Sequence, residues 1–89
     1  MTADHVRDLG FTAIKRFRAG DVSYPVFILE LERAVDAAEE MSDKRAQLLR
    51  RSWGELEIIN ALSDGQPKQS DRFAVDNLIA EIEEWLKAP

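Results

Sequence analysis

The sequence predicts an all-α protein, an antiparallel four-helix bundle in a single domain, and three observations predict it. Apolar residues recur at three- and four-residue spacing in four segments, and strand-like alternation is absent. The segments are punctuated by helix caps and stops. Their connections are mostly short, which favours up-down-up-down neighbours. At 89 residues there is room for one hydrophobic core, and with 45% hydrophobic and 33% charged residues the composition is that of a globular chain.

The first helix is expected from Ala3 to about Ala19, capped by Thr2 and ended by Gly20. Val6, Leu9, Ala13, Ile14 and Phe17 share its inner face. Gly10 lies near that face in mid-helix, where it costs about 1 kcal/mol relative to Ala, and a close helix crossing accounts for it. Arg7, Phe11, Lys15 and Arg18 gather on another side and read as a solvated face.

The second helix has Ser23 as N-cap and Pro25 in its first turn, where a missing N–H costs nothing, and runs to about Glu40. Tyr24, Phe27, Ile28, Leu31, Ala34, Val35 and Ala38 fall within an arc of about 120°. Val26 and Leu29 point away from it.

The third helix organises the others and is read from Ser42, as N-cap, to Gly65 as the stop. Leu48, Leu49, Trp53, Leu56 and Ile59 occupy an arc of about 140°, which also holds Ser52, Asn60 and Ser63, with Glu55 and Glu57 at its edges. A buried Asn60 must find hydrogen-bond partners. Asp64 to Asp71 forms the one long connection, rich in turn formers. The last helix is capped either by Ser70 or by Asp76, with Asp76 slightly favoured. Its inner face comprises Val75, Leu78, Ile79, Ile82, Trp85 and Leu86.

The chemistry expected is binding, with no catalytic residues, no cofactor and no metal. There is no Cys and one His, and neither a glycine-rich phosphate loop nor metal-ligand spacing occurs. The N-terminus lacks a signal-peptide pattern and no apolar run approaches a membrane span, so a cytoplasmic, soluble protein is expected, with no membrane partner. The net charge of −5 is unevenly spread. Residues 1–20 carry four basic and two acidic groups, whereas residues 52–89 carry three basic and eight acidic ones. Such a C-terminal half suits no direct contact with nucleic acid, which needs clustered Lys and Arg, but it suits a basic protein. Glu55, Asp64, Asp71 and Asp76 line the end of the third helix and the loop into the fourth.

Three further features carry a family resemblance: the first-hairpin pattern Phe17-Arg18-Ala19-Gly20-Asp21-Val22-Ser23 with Phe27 shortly after, the segment Gly54-Glu55-Leu56, and Asp71-Arg72-Phe73-Ala74-Val75-Asp76-Asn77-Leu78. In these the chain resembles the small immunity proteins of the colicin D type, within the wider group of bacteriocin and contact-dependent toxin immunity proteins. The resemblance implies a four-helix bundle whose acidic residues plug the positively charged active site of a tRNA-cleaving toxin domain. Glu55, Asp71 and Asp76 would then face a cognate basic nuclease toxin domain, with Asp64 added from charge alone. The loop Gln66-Pro67-Lys68-Gln69 is less acidic than the pattern, and Asn77 follows Asp76 where the pattern has a second acid. The alternative reading is a helical protein–protein interaction or homodimerisation module whose contact patch includes Val26 and Leu29.

Overall fold

The computed structural model describes residues 3–87. Among these residues there are four α-helices and no strand: α1 (Ala3–Arg18), α2 (Tyr24–Glu40), α3 (Ala46–Leu62) and α4 (Arg72–Lys87), with a 3-10 turn at Gln69–Asp71 before the last. Each helix packs on the next in sequence, and α4 returns to α1, so the four close a ring around one core. No helix among the described residues is long and apolar enough to cross a membrane.

The apolar stripes meet as their spacing dictates. Val6, Ala13 and Ile14 of α1, Phe27, Ile28, Leu31 and Val35 of α2, Leu49 and Leu56 of α3, and Val75, Ile79, Ile82 and Leu86 of α4 are buried together. At the end of the bundle where α1 passes into α2, Phe17 stacks on Phe27 with ring centres 4.5 Å apart and meets Tyr24 edge-on at 5.7 Å. The Tyr24 hydroxyl donates to the Leu56 carbonyl at 2.6 Å, and Trp53 Nε1 donates to the Ile28 carbonyl at 3.0 Å. Both bonds satisfy polar atoms that would otherwise penalise burial.

Three helices end in the same way. Gly20, Ser42 and Asp64 take left-handed backbone conformations after α1, α2 and α3. Asp21 N–H returns to the Arg16 carbonyl, Asp43 N–H to Ala38 and Gly65 N–H to Asn60, the long bond of a Schellman termination. The expected Thr2 cap lies outside the described residues.

Two expected boundaries are corrected. Ser42 is not the N-cap of α3: it is spent in ending α2, with φ at 53°. The start of α3 is organised instead by Asp43, whose carboxylate accepts the Arg45 backbone N–H at 2.8 Å and whose carbonyl accepts Ala46 N–H. Nor does Asp76 cap α4, which has already begun at Arg72. The start falls nearer the Ser70 alternative, because the 3-10 turn at Gln69–Asp71 runs directly into α4, and Asp71 closes that turn. Its side chain accepts Lys68 N–H at 3.1 Å while its own N–H donates to the Lys68 carbonyl at 2.8 Å. The early start brings Val75 into the core as part of a helix.

Within α3 the predicted arc is also trimmed. Leu48, at its margin, is 39% exposed. Asn60 is half-buried, and its Oδ1 meets no donor among the described residues, so the expected satisfied amide is not found there. Arg45, in contrast, is buried although charged. Its Nη1 donates to the Trp85 and Leu86 carbonyls at 3.2 Å each, and its Nε and Nη2 donate to the Asp43 carboxylate at 2.9 and 2.7 Å. Arg7 Nε adds a bond to the Leu86 carbonyl at 3.0 Å. Two cations therefore hold the negative end of α4, where the last carbonyls lack helical partners.

Candidate functional site

Ile58 and Ile59 of α3 and Ala74, Asn77 and Leu78 of α4 line an open groove of about 450 Å³, with Glu55 on its edge. Its origin lies in helix register. Val75, Ile79 and Ile82 turn α4 towards the core, which leaves Ala74, Asn77 and Leu78 on the flank facing α3. On α3, Leu49 and Leu56 point inward, so Ile58 and Leu62, one turn apart, lie along the outer margin. Ile58 is 56% exposed, Leu62 81% and Phe73 of α4 77%. Of these three exposed apolar side chains, Ile58 lines the groove, and Leu62 and Phe73 lie outside its lining.

The four predicted acidic residues are not gathered at one point. Glu55 lies in the α3–α4 groove. Asp64 is exposed in the left-handed position that ends α3. Asp71 is half-buried, and its carboxylate is engaged by the backbone of Lys68. Asp76 lies on the opposite flank of α4, lining a depression with Phe17, Arg18, Tyr24, Pro67, Arg72 and Val75. Asp76 and its neighbour Asn77, about 100° apart around the helix, therefore face different sides.

The surroundings of the acids differ as well. Burial pushes the Tyr24 hydroxyl well above its usual range, and the charge of Asp71 adds to the effect. The Arg18 guanidinium is held more strongly protonated, first by its paired hydrogen bonds to Glu83 at 2.9 Å and also by Asp76. Glu55 and Asp64 form no ion pair or side-chain hydrogen bond among the described residues. Arg51, one turn before Glu55, is not joined to it by an ion pair among those residues.

Elsewhere several arginines are held by acids of the bundle itself. Arg50 is held protonated first by its hydrogen bond to Glu39 and also by Asp36, and Glu32 lies 3.7 Å away. In return Arg50 holds the Glu39 carboxyl below its usual range. The Arg50 guanidinium also lies 5.0 Å from the centre of a Trp53 ring. Arg16 bonds Glu30. The basic side of α1, read from sequence as a solvated face, is in part the seam with α4: Arg7 and Arg18 reach across it, and Phe11 packs against the core.

Sequence reasoning did not single out Ile58, Leu62, Phe73 or Leu78 as surface features. A signal for two of them was present, since Ile58 and Leu62 fall outside the apolar arc of α3 at i, i+4 spacing. Phe73 gives no such signal if Asp76 caps the last helix, the slightly favoured of the two expectations. His5 is exposed, and no group of three His, Asp or Glu among the described residues is arranged to hold a metal ion.

The fold and the groove define the class: an all-α four-helix bundle with an apolar, acid-edged face between its last two helices. Comparison with protein families, with curated proteins and with solved structures finds no match for this chain.

Proposed function

We propose that this chain is an immunity-type inhibitor, which binds a cognate basic nuclease domain and covers its active site with the acidic end of α3 and the loop that follows. The observation that carries the reading is the division of charge. Arg7, Arg16 and Arg18 of α1, Arg45 before α3 and Arg50 within it are turned to acids and carbonyls of the bundle itself, whereas Glu55 and Asp64, like the exposed Arg51, form no ion pair or side-chain hydrogen bond among the described residues. Carboxylates free of internal partners lose no existing bond when Lys or Arg of a partner reaches them. Glu55 and Asp64 are accordingly the leading contacts. Asp71 and Asp76 already interact within the fold.

The test is a titration against the folded nuclease domain encoded beside this chain, at low and high salt. Binding should weaken with salt, and Glu55→Lys or Asp64→Lys should each weaken it about tenfold or more, with recovery of nuclease activity. Absence of a complex at low salt refutes the proposal. A second reading, a homodimer through α2, is favoured by Val26 and Leu29, 41% and 63% exposed on the same outward face. It predicts a concentration-dependent dimer that Leu29→Glu disperses and that Glu55→Lys leaves intact.

A further inference from the structure

Resting on the reading of this chain as a binding protein, we infer that the α3–α4 groove receives a helical segment of the partner, with apolar side chains along one stripe and Lys or Arg beside them. The walls are two helices whose separation leaves a trough floored by Ile59 and Leu78 and edged by Ile58 and Ala74. A third helix seats in such a trough by placing its side-chain ridge between the two walls, with anchors one turn apart. From Glu55 to Leu62 the edge of α3 advances about 10 Å, room for two or three such anchors.

Charge selects the flanks of the incoming helix. No Lys or Arg lines the groove, Glu55 does, and Asp64 stands just past the end of α3. Further along the same helix pair Glu81 accepts a hydrogen bond from Ser52 at 3.3 Å and is otherwise exposed. A cationic flank is therefore attracted, and an anionic one repelled, within the groove and towards Asp64, whereas beside Glu81 at the other end the exposed Arg51, one turn before Glu55, offsets that attraction. Two alternatives fit less well. A symmetric second copy would bring the same acidic end against itself in a chain of net charge −5. A small molecule would find only Glu55 and Asn77 as polar side chains to orient it.

The probe is a pair of helical peptides of about 18 residues sharing one leucine stripe, with Lys at the other positions in one and Glu in the second. Each is titrated into the full chain while backbone amide resonances are followed by NMR. The Lys peptide should bind, with the largest shifts at Ile58, Ile59, Ala74, Asn77 and Leu78. Ile58→Glu should weaken it about tenfold or more, Glu55→Lys severalfold, and Leu29→Glu on α2 not at all. Because Ile58 is exposed, the variants should keep the parent's helix content and melting temperature, which circular dichroism verifies. Equal binding of the Glu peptide overturns the inference, as do shifts centred on α2 or indifference to Ile58→Glu. So does a dimer of the free chain that Ile58→Glu disperses, since the occupant would then be a second copy. The two proposals fail separately. A nuclease domain that binds the Ile58→Glu variant as tightly as the parent, yet is lost with Glu55→Lys, removes the groove inference and leaves the immunity reading intact. A groove that takes the Lys peptide when no nuclease domain binds does the converse.

Discussion

Replacing Gly10 with Ala and replacing Gly54 with Ala are the same change in two helices of one bundle, and packing gives them opposite signs. In a helix interior the added methyl is favourable by about 0.8–1 kcal/mol, because it narrows the unfolded backbone's freedom. At Gly54 a Cβ meets nothing within 4 Å, so the full gain should appear. At Gly10 the same atom falls 2.5 Å from one terminal methyl of Leu86, 3.0 Å from the other and 3.3 Å from Cγ. Leu86 is fully buried, and its side chain has no solvent to swing into. Overpacking of this kind costs about 1–3 kcal/mol. Set against the propensity gain, Gly10→Ala should destabilise by about 1 kcal/mol, and the two variants should differ by about 2 kcal/mol. For a domain of this size that separates their melting temperatures by roughly 8–16 °C. Urea denaturation followed by circular dichroism, with an unchanged m-value, measures both. Relief of the clash supplies a control: Leu86→Val should lessen the penalty of Gly10→Ala, giving a coupling of at least about 0.5 kcal/mol in a double-mutant cycle. If Gly10→Ala stabilises the protein as much as Gly54→Ala does, the close crossing of α1 and α4 is not as described, and the explanation of Gly10 fails.

Two further predictions concern the arginine that holds the end of α4. Arg45→Met keeps the apolar stem but leaves the Asp43 carboxylate and the Trp85 and Leu86 carbonyls without its donors, and should cost about 3 kcal/mol in urea denaturation; a loss below about 0.5 kcal/mol would show that water replaces these bonds freely. The Asp43 carboxyl is held down to about 2 from 3.8, chiefly by its hydrogen bonds from the Arg45 side chain. Because the folded value is the lower one, the ionised form stabilises the protein fully above pH 3.8, and this stability is lost as the pH falls towards 2. The loss should be on the order of 1–2 kcal/mol. Melting temperatures across that window should therefore fall less in Asp43→Asn than in the parent, although the variant starts lower at neutral pH.

The four helices and their inward faces were legible because helical periodicity and termination are local properties. Val6, Ala13 and Ile14, or Val75, Ile79 and Ile82, lie on one side of a helix by spacing alone, and wherever that helix sits this side must leave water. Gly10 signalled a close crossing for the same reason: a costly residue in mid-helix implies a neighbour that needs the space. The start of α3 was less legible, because Ser42 is a residue type that caps an N-terminus and also tolerates the end of a helix. Asp43, one residue on, instead holds the turn that leads into α3 by accepting the Arg45 N–H, and Arg45 occupies the N-cap position. At α4 the slightly favoured Asp76 cap falls five residues too late and the Ser70 alternative lies nearer, since the 3-10 turn closed by Asp71 on Lys68 runs straight into the helix at Arg72.

Charge was legible as an amount and not as an arrangement. Counting acids located the negative half of the chain, but whether Glu55 and Asp76 face the same way depends on how α4 is rotated against both its neighbours. Burial of Val75, Ile79, Ile82 and Leu86 sets that rotation, and it turns Asn77 to α3 and Asp76 to α1 and α2. The buried state of Arg45 has the same origin, because the carbonyls it satisfies belong to residues 40 and 41 positions away. Sequence by itself determined the helices, the side each one buries and the sign of the surface charge, all of which follow from neighbours within a turn or two. Tertiary structure alone decided which acids keep a free carboxylate, which arginines are consumed inside the bundle, and that Ile58 in the groove, Leu62 and Phe73 stand uncovered, because these depend on what each helix meets across the core.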